Sequence, residues 1–153
     1  MIIESYLNLL FEQLMKNAPT FIYEILHGKK PPTQLRGRTV THKKKIIDGI
    51  EIDAGIPTSV IKKLNNIKEI EMRSSCQGES EERPSFIIFR LNKNIDIKKF
   101  VKKLNNKKDI KAGFDLGNQG RYRIGVTWWT WYGKKGNTEW WESLPKKIID
   151  SLK

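Results

Sequence analysis

Four consecutive apolar residues, Phe86-Ile87-Ile88-Phe89, follow a polar loop over residues 77–84 and precede a helix start at Asp96. A run this short, rich in aromatic and β-branched side chains, reads as a strand with apolar surroundings on both sides. Residues 85–91 are therefore expected to form a central strand buried on both faces. The neighbouring patterns fall into place around it. Ile56, Val60, Ile61 and Leu64 mark one face of a helix that has Pro57 in its first turn and Asn65-Asn66 at its end. Asp96 caps a second helix, with Ile97, Phe100, Val101 and Leu104 at helical spacing and Asn105-Asn106 as its stop.

Strand alternation occurs over residues 46–52 (Ile46, Ile50, Ile52), 69–76 (Ile70, Met72, Ser74, Cys76) and 110–116 (Ile110, Ala112, Phe114, Leu116). Gly117-Asn118-Gln119-Gly120 signals a hairpin. The returning strand puts Tyr122, Ile124, Val126 and Trp128 on one face, and Trp129 and Trp131 on the other. A C-terminal helix is expected over residues 145–152. Residues 1–27 read as helical, broken at Asn17-Ala18-Pro19. Stretches 52–91 and 95–128 share the sequence helix, Leu-Asn-Asn stop and two strands, the signature of a worn repeat. The fold class expected is α+β: a mainly antiparallel sheet with helices on one face, a ferredoxin-like β-α-β-β-α-β-β core preceded by N-terminal helices. The division is an N-terminal helical segment (1–27), a basic arm (28–45) and an α+β domain (46–153).

Lys and Arg number 29 against 17 Asp and Glu, a net charge of +12 over 153 residues, and 38% of the chain is hydrophobic. That composition supports a core and points to a polyanionic partner. The surplus is not spread evenly. Residues 28–45 carry Lys29, Lys30, Arg36, Arg38, Lys43, Lys44 and Lys45 with no acid among them. Lys98, Lys99, Lys102, Lys103, Lys107, Lys108 and Lys111 line the back of the second helix and the residues after it, where a solvated face is the simpler account. A single cysteine, Cys76, excludes an internal disulfide. No apolar run approaches the ~20 residues that cross a bilayer. Residues 1–15 lack the basic start and cleavage site of a signal peptide, so the expected location is cytoplasmic and no membrane partner is expected.

All five tryptophans fall between Trp128 and Trp141, interleaved with Lys134 and Lys135 and preceded by Arg121 and Arg123. Either helices fold over these rings or part of the indole surface stays open to stack on bases or on a protein partner. The leading expectation is a non-enzymatic nucleic-acid-binding protein that prefers RNA or single strands. The arm residues, Arg121 and Arg123 would contact phosphate, while Trp129 and Trp131 stack. A nucleoprotein is the related partner, and the apolar stripe of the first helix offers a homodimer contact.

A further motif runs Ile52-Asp53-Ala54-Gly55-Ile56, a helix ending Leu64-Asn65-Asn66, then Met72-Arg73-Ser74-Ser75-Cys76-Gln77-Gly78. It resembles the opening of the tRNA wybutosine-synthesis methyltransferase family, and small bacterial and phage proteins with the same turn. The chain departs from that family at Glu79-Ser80-Glu81-Glu82 and at the apolar strand that follows. The resemblance implies S-adenosylmethionine-dependent tRNA modification, with the Ser74-to-Gly78 turn in the pocket and Asp53 as a polar site residue. A third expectation is a small-ligand- or protein-binding inhibitor or regulator, as encoded by a mobile element, that uses its charge against an acidic or nucleoprotein partner. Asp53, Ser74, Ser75, Cys76 and Gly78 are thus the candidate pocket, where backbone N–H groups could receive an anion. The alternative is a tight turn in which Cys76 packs as a small hydrophobe. His27 and His42 are the available bases for a cysteine nucleophile, and both fall in the N-terminal region. No metal-ligand spacing is present, so neither a catalytic nor a metal residue is assigned, and S-adenosylmethionine is the sole cofactor, under the enzymatic reading.

Overall fold

The computed structural model describes residues 16–35, 41–92 and 94–153. The helix expected over residues 1–15, the homodimer contact assigned to it, and Arg36 and Arg38 lie outside the described residues. The elements are α1 (Ala18–His27), β1 (Lys44–Ile47), β2 (Ile50–Asp53), α2 (Thr58–Asn65), β3 (Ile70–Cys76), β4 (Phe86–Leu91), α3 (Ile97–Asn105), β5 (Lys111–Leu116), β6 (Tyr122–Thr127) and α4 (Asn137–Leu152). They form an α+β fold with a four-stranded antiparallel sheet in the order β3-β4-β6-β5 and a separate hairpin, β1-β2.

Every residue of β4 is buried, as its apolar run requires. Ile87 and Phe89 enter the main core with Leu64 of α2, Phe100 and Leu104 of α3, and Trp141 and Leu144 of α4. Phe86 and Ile88 enter a second cluster with Phe21 and Ile22 of α1. Helices therefore cover both faces, which corrects the one-sided arrangement expected. The cause lies in β4 itself, because Phe86 and Ile88 would otherwise face water at a loss of about 1.5–3 kcal/mol each.

The seat for α1 is cut by two glycines. Gly113 of β5 and Gly125 of β6 are register partners. A Cβ at Gly125 would lie 2.8–3.0 Å from Ile25, Phe21 and Ile22, and one at Gly113 would lie 2.9 Å from Ile25. Helix and strands can approach this closely only where no side chain intervenes. Asn17 caps α1 by accepting a hydrogen bond from the Thr20 N–H at 2.9 Å.

The worn repeat corresponds to two α-β-β units, α2-β3-β4 and α3-β5-β6, joined by the antiparallel β4-β6 pair. Asn66 and Asn106 end their helices with nearly the same backbone angles (φ −86°, ψ −5° and φ −83°, ψ −8°). The side chain of Asn105 then pins α3 to β5, donating to the Ala112 carbonyl and accepting from its N–H. α4 packs against both α2 and α3.

Two expectations are corrected here. Residues 46–52 are not one strand but a hairpin that turns at Asp48-Gly49, where both residues have positive φ (52° and 79°). An Asp-Gly pair with this backbone suits the twist of a two-residue hairpin loop. Because β2 pairs with β1 alone among the described strands, it does not open a β-α-β unit. The strand between β4 and β5 is β6 instead. The C-terminal helix begins at Asn137, eight residues before Pro145, which lies inside it. Interior proline costs a helix roughly 3 kcal/mol, which the burial of Trp140, Trp141, Leu144 and Ile148 offsets. No helix among the described residues is long and apolar enough to cross a membrane.

Gly125→Ala should lower the unfolding free energy by about 1–3 kcal/mol in urea titrations, through overpacking against α1. In a chain that also carries Ile25→Ala the added loss should shrink. An unchanged midpoint would mean that α1 does not rest on this strand pair.

Candidate functional site

Asp53 ends β2 and is fully buried. An unpaired carboxylate could not remain ionised there, and the surrounding chain is arranged to satisfy it. Its Oδ2 lies 3.1 Å from His42 Nδ1 and accepts the Gln77 backbone N–H at 2.9 Å. Its Oδ1 accepts from Lys44 Nζ. The Asp48-Gly49 turn sets this up by register, since it places Lys44 opposite Asp53 across the hairpin. Lys43 O accepts the Ala54 N–H, and Gln77 Oε1 accepts the Gly55 N–H at 2.8 Å. The end of β2 is thereby tied to the end of β3.

With Nδ1 turned to the Asp53 carboxylate, Nε2 of His42 faces the other way. The His42 side chain is only 6% exposed. Its Nε2 lies 3.4 Å from Glu79 Oε2, and both atoms are buried without a hydrogen-bond partner. Cys76, also buried, accepts the Gly78 N–H on its sulfur at 3.4 Å. One donor atom each from His42, Asp53 and Cys76 lie within 4.8 Å of one another. His42, Ser74, Cys76, Glu79 and Arg83 border a cavity of about 240 Å³, which Pro19, Ile22 and Phe86 close on the α1 side. Gly78 adopts φ +80°, and a Cβ there would lie 2.5 Å from Ser85 N, so the turn requires glycine.

The candidate pocket residues do converge. Asp53, Ser74, Cys76 and Gly78 sit at one end of β3, while Ser75 alternates to the opposite side and borders a separate cleft with Asp53 and Ser74. The turn's N–H groups do not await an anion as expected, because Gln77 donates to Asp53 and Gly78 to Cys76. His42, named from the sequence only as an available base in the N-terminal region, is brought beside Asp53 and Cys76. Read as part of a solvated arm, it is in fact held two residues before the Lys44–Asp53 register pair. The hairpin signal Asp48-Gly49 was the clue that could have placed it.

A second cleft, of about 430 Å³, opens beside α4. It is bordered by Trp128, Trp129 and Trp140 and by Lys108, Lys134, Lys135 and Lys147, with Asp109 and Glu139 as its acids. Trp129 and Trp131 are half-buried. Trp128 packs on the main core, whereas Trp129 meets His27 of α1 edge-on at 4.9 Å, so the two point to opposite faces. Lys134 Nζ lies 4.3 Å over the Trp131 ring and donates to the Trp129 carbonyl. Trp140 is buried and donates its Nε1–H to the Asp109 carbonyl, and Trp141 is fully buried. Burial lowers the pKa of Lys147, Lys108 adds to the effect, and Asp109 opposes it. This cleft and the Cys76 cavity share no bordering residue.

The other basic candidates differ in what they can offer. Lys29, Lys30 and Lys43 are exposed. Lys44 is committed to Asp53 and Lys45 to the Ile56 carbonyl. Arg121 lies 3.6 Å from Glu71. Arg123 bonds both oxygens of Asp115, donates to the Lys16 carbonyl and stacks 4.3 Å over Phe21. Its guanidinium fastens α1 to the sheet.

Comparison with protein-family models, with curated proteins and with solved structures finds no match for this chain. Asp53→Ala should lower the unfolding free energy by about 3–5 kcal/mol, because it strands Lys44, His42 and the Gln77 N–H together. Denaturant titration measures this. A loss below about 1 kcal/mol would remove Asp53 from its central place.

Proposed function

We propose that the protein binds nucleic acid, as RNA or single strands, along the cleft beside α4. The observation that carries this reading is the meeting of tryptophan edges with four lysines in one groove. Lysines hold phosphates as point charges and release counterions, while the half-open indole of Trp129 offers a face on which a base can stack without demanding a sequence. Lys29, Lys30 and Lys43 are exposed and add further positive charge to the protein's surface. Arg123 is left out of the interface because Asp115 and Phe21 engage it.

A second reading, a tRNA-modifying enzyme resembling the wybutosine-synthesis methyltransferases, is favoured by the buried Asp53–His42 pair beside the Ser74-to-Gly78 turn. Calorimetry with S-adenosylmethionine separates the two. Heat of binding supports the enzyme, and its absence counts against it.

Fluorescence anisotropy with a labelled single-stranded RNA should show affinity falling steeply with salt. Trp129→Ala should cost about 1–3 kcal/mol of binding. A Lys134→Ala, Lys135→Ala double variant should flatten the log–log salt slope by about 1.4, near 0.7 per lost phosphate contact. Salt-insensitive binding, or none at low salt, would overturn the reading.

A further inference from the structure

We propose that the cavity beside Cys76 is a transition-metal site of the zinc class, with His42 Nε2, Glu79 Oε2 and Cys76 Sγ as its ligands. The proposal does not depend on nucleic-acid binding. It begins with the pair of buried, unpartnered acceptors: His42 Nε2 and Glu79 Oε2 face each other at 3.4 Å. A charge-assisted N–H···O bond is shorter, about 2.7–2.9 Å. Nitrogen and oxygen ligands about 2.0–2.1 Å from a tetrahedral zinc stand about 3.3–3.4 Å apart. The observed separation matches that of two ligands on one tetrahedral cation.

The remaining groups take the roles such a site needs. Asp53 is not a ligand, since its oxygens accept from His42, Gln77 and Lys44. It stands behind the imidazole, fixing its tautomer and aiming Nε2, as carboxylates do behind metal-bound histidine. Arg83 Nε lies 3.7 Å from Glu79 Oε1, which leaves Oε2 to face His42. Cys76 supplies the soft ligand: its sulfur lies within 4.8 Å of one donor atom each of His42 and Asp53, and it borders the same cavity as Glu79. All three ligands border one cavity. The fourth position therefore opens onto space rather than onto a fourth side chain, as in zinc sites that bind water or substrate.

Titration of the full-length, metal-free protein with Co²⁺ tests this directly. Binding should produce the intense visible bands of a tetrahedral site together with a near-ultraviolet thiolate-to-cobalt band, and Zn²⁺ should abolish both by displacement. Cys76→Ser should lose the near-ultraviolet band, and His42→Gln should lose binding. Asp53→Asn should keep the spectrum but weaken affinity by about 10–100-fold. Zn²⁺ should also slow alkylation of Cys76 in the unaltered chain, a readout that does not rely on any variant folding. Absence of cobalt bands in the unaltered chain, or alkylation indifferent to Zn²⁺, overturns the site.

Discussion

The carboxylate of Asp53 organises more of this molecule than any other single group. A fully buried charge is tolerated only when it is paired and hydrogen-bonded, and its partners must then come to it. Here they come from three separate places in the chain: His42 before β1, Lys44 within β1, and the Gln77 N–H after β3. Among the described residues, the β1-β2 hairpin has no strand partner in the main sheet. Its attachment depends on this ion cluster, on Ile47 and Ile56 in the core, and on Lys45 reaching the Ile56 carbonyl. Removing the carboxylate would therefore loosen an element as well as a contact.

The sheet rests on a different constraint. A strand that is apolar in both directions needs two layers of cover, and the chain provides them asymmetrically. Three helices fill one side, while α1 covers the other through a groove that Gly113 and Gly125 leave open. Arg123 reinforces that lid by joining Asp115, the Lys16 carbonyl and the Phe21 ring. An arginine that looked available for phosphate is thus spent on fastening a helix.

Much of this was legible in the residues. Periodicity located α2, α3, β3, β5 and β6, despite a register shift in β3 between Met72 and Ser74, a continuous apolar run located β4, and Asp96 does cap α3 through the Lys99 N–H. It failed where one local signal had to outrank another. Asp48-Gly49 interrupts what alternation alone reads as a single strand, and Pro145 imitates a helix start inside a helix whose other residues are deeply buried. The candidate site was half visible for the same reason. Asp53 and Cys76 sit in a recognisable turn motif, whereas His42 joins them through hairpin register, with no fixed spacing to betray it. The tryptophans divide as their positions dictate: Trp140 and Trp141 are buried by α4, and Trp129 and Trp131 stay half-open beyond the end of β6.

The two candidate sites lie at one end of the sheet yet remain physically distinct. Cys76, Phe86, Thr127 and Lys111 form a single row across the four strands, about 14 Å from first to last at ordinary strand spacing. A buried polar network runs along this end. Ser85 Oγ donates to the Gln77 carbonyl, Thr127 to the Ser85 carbonyl, and Asn137 to both Ser85 and Thr130. Gln77, whose N–H serves Asp53, thereby belongs to the same network that holds the tryptophan loop. Such networks are rigid when fully satisfied, so this one fixes the loop and the Asp53 cluster in a common frame. The cavity, however, is closed by α1 and the cleft is bordered by α4, on opposite sides of that frame. A ligand that occupied both would have to pass around the end of the sheet. The acids divide the sites further, since Glu79 and Glu82 border the cavity while lysines outnumber acids in the cleft. The shared scaffold thus presents two sites of different make-up: Glu79 and Glu82 beside Arg83 and His42 at the cavity, and four lysines with two acids at the cleft.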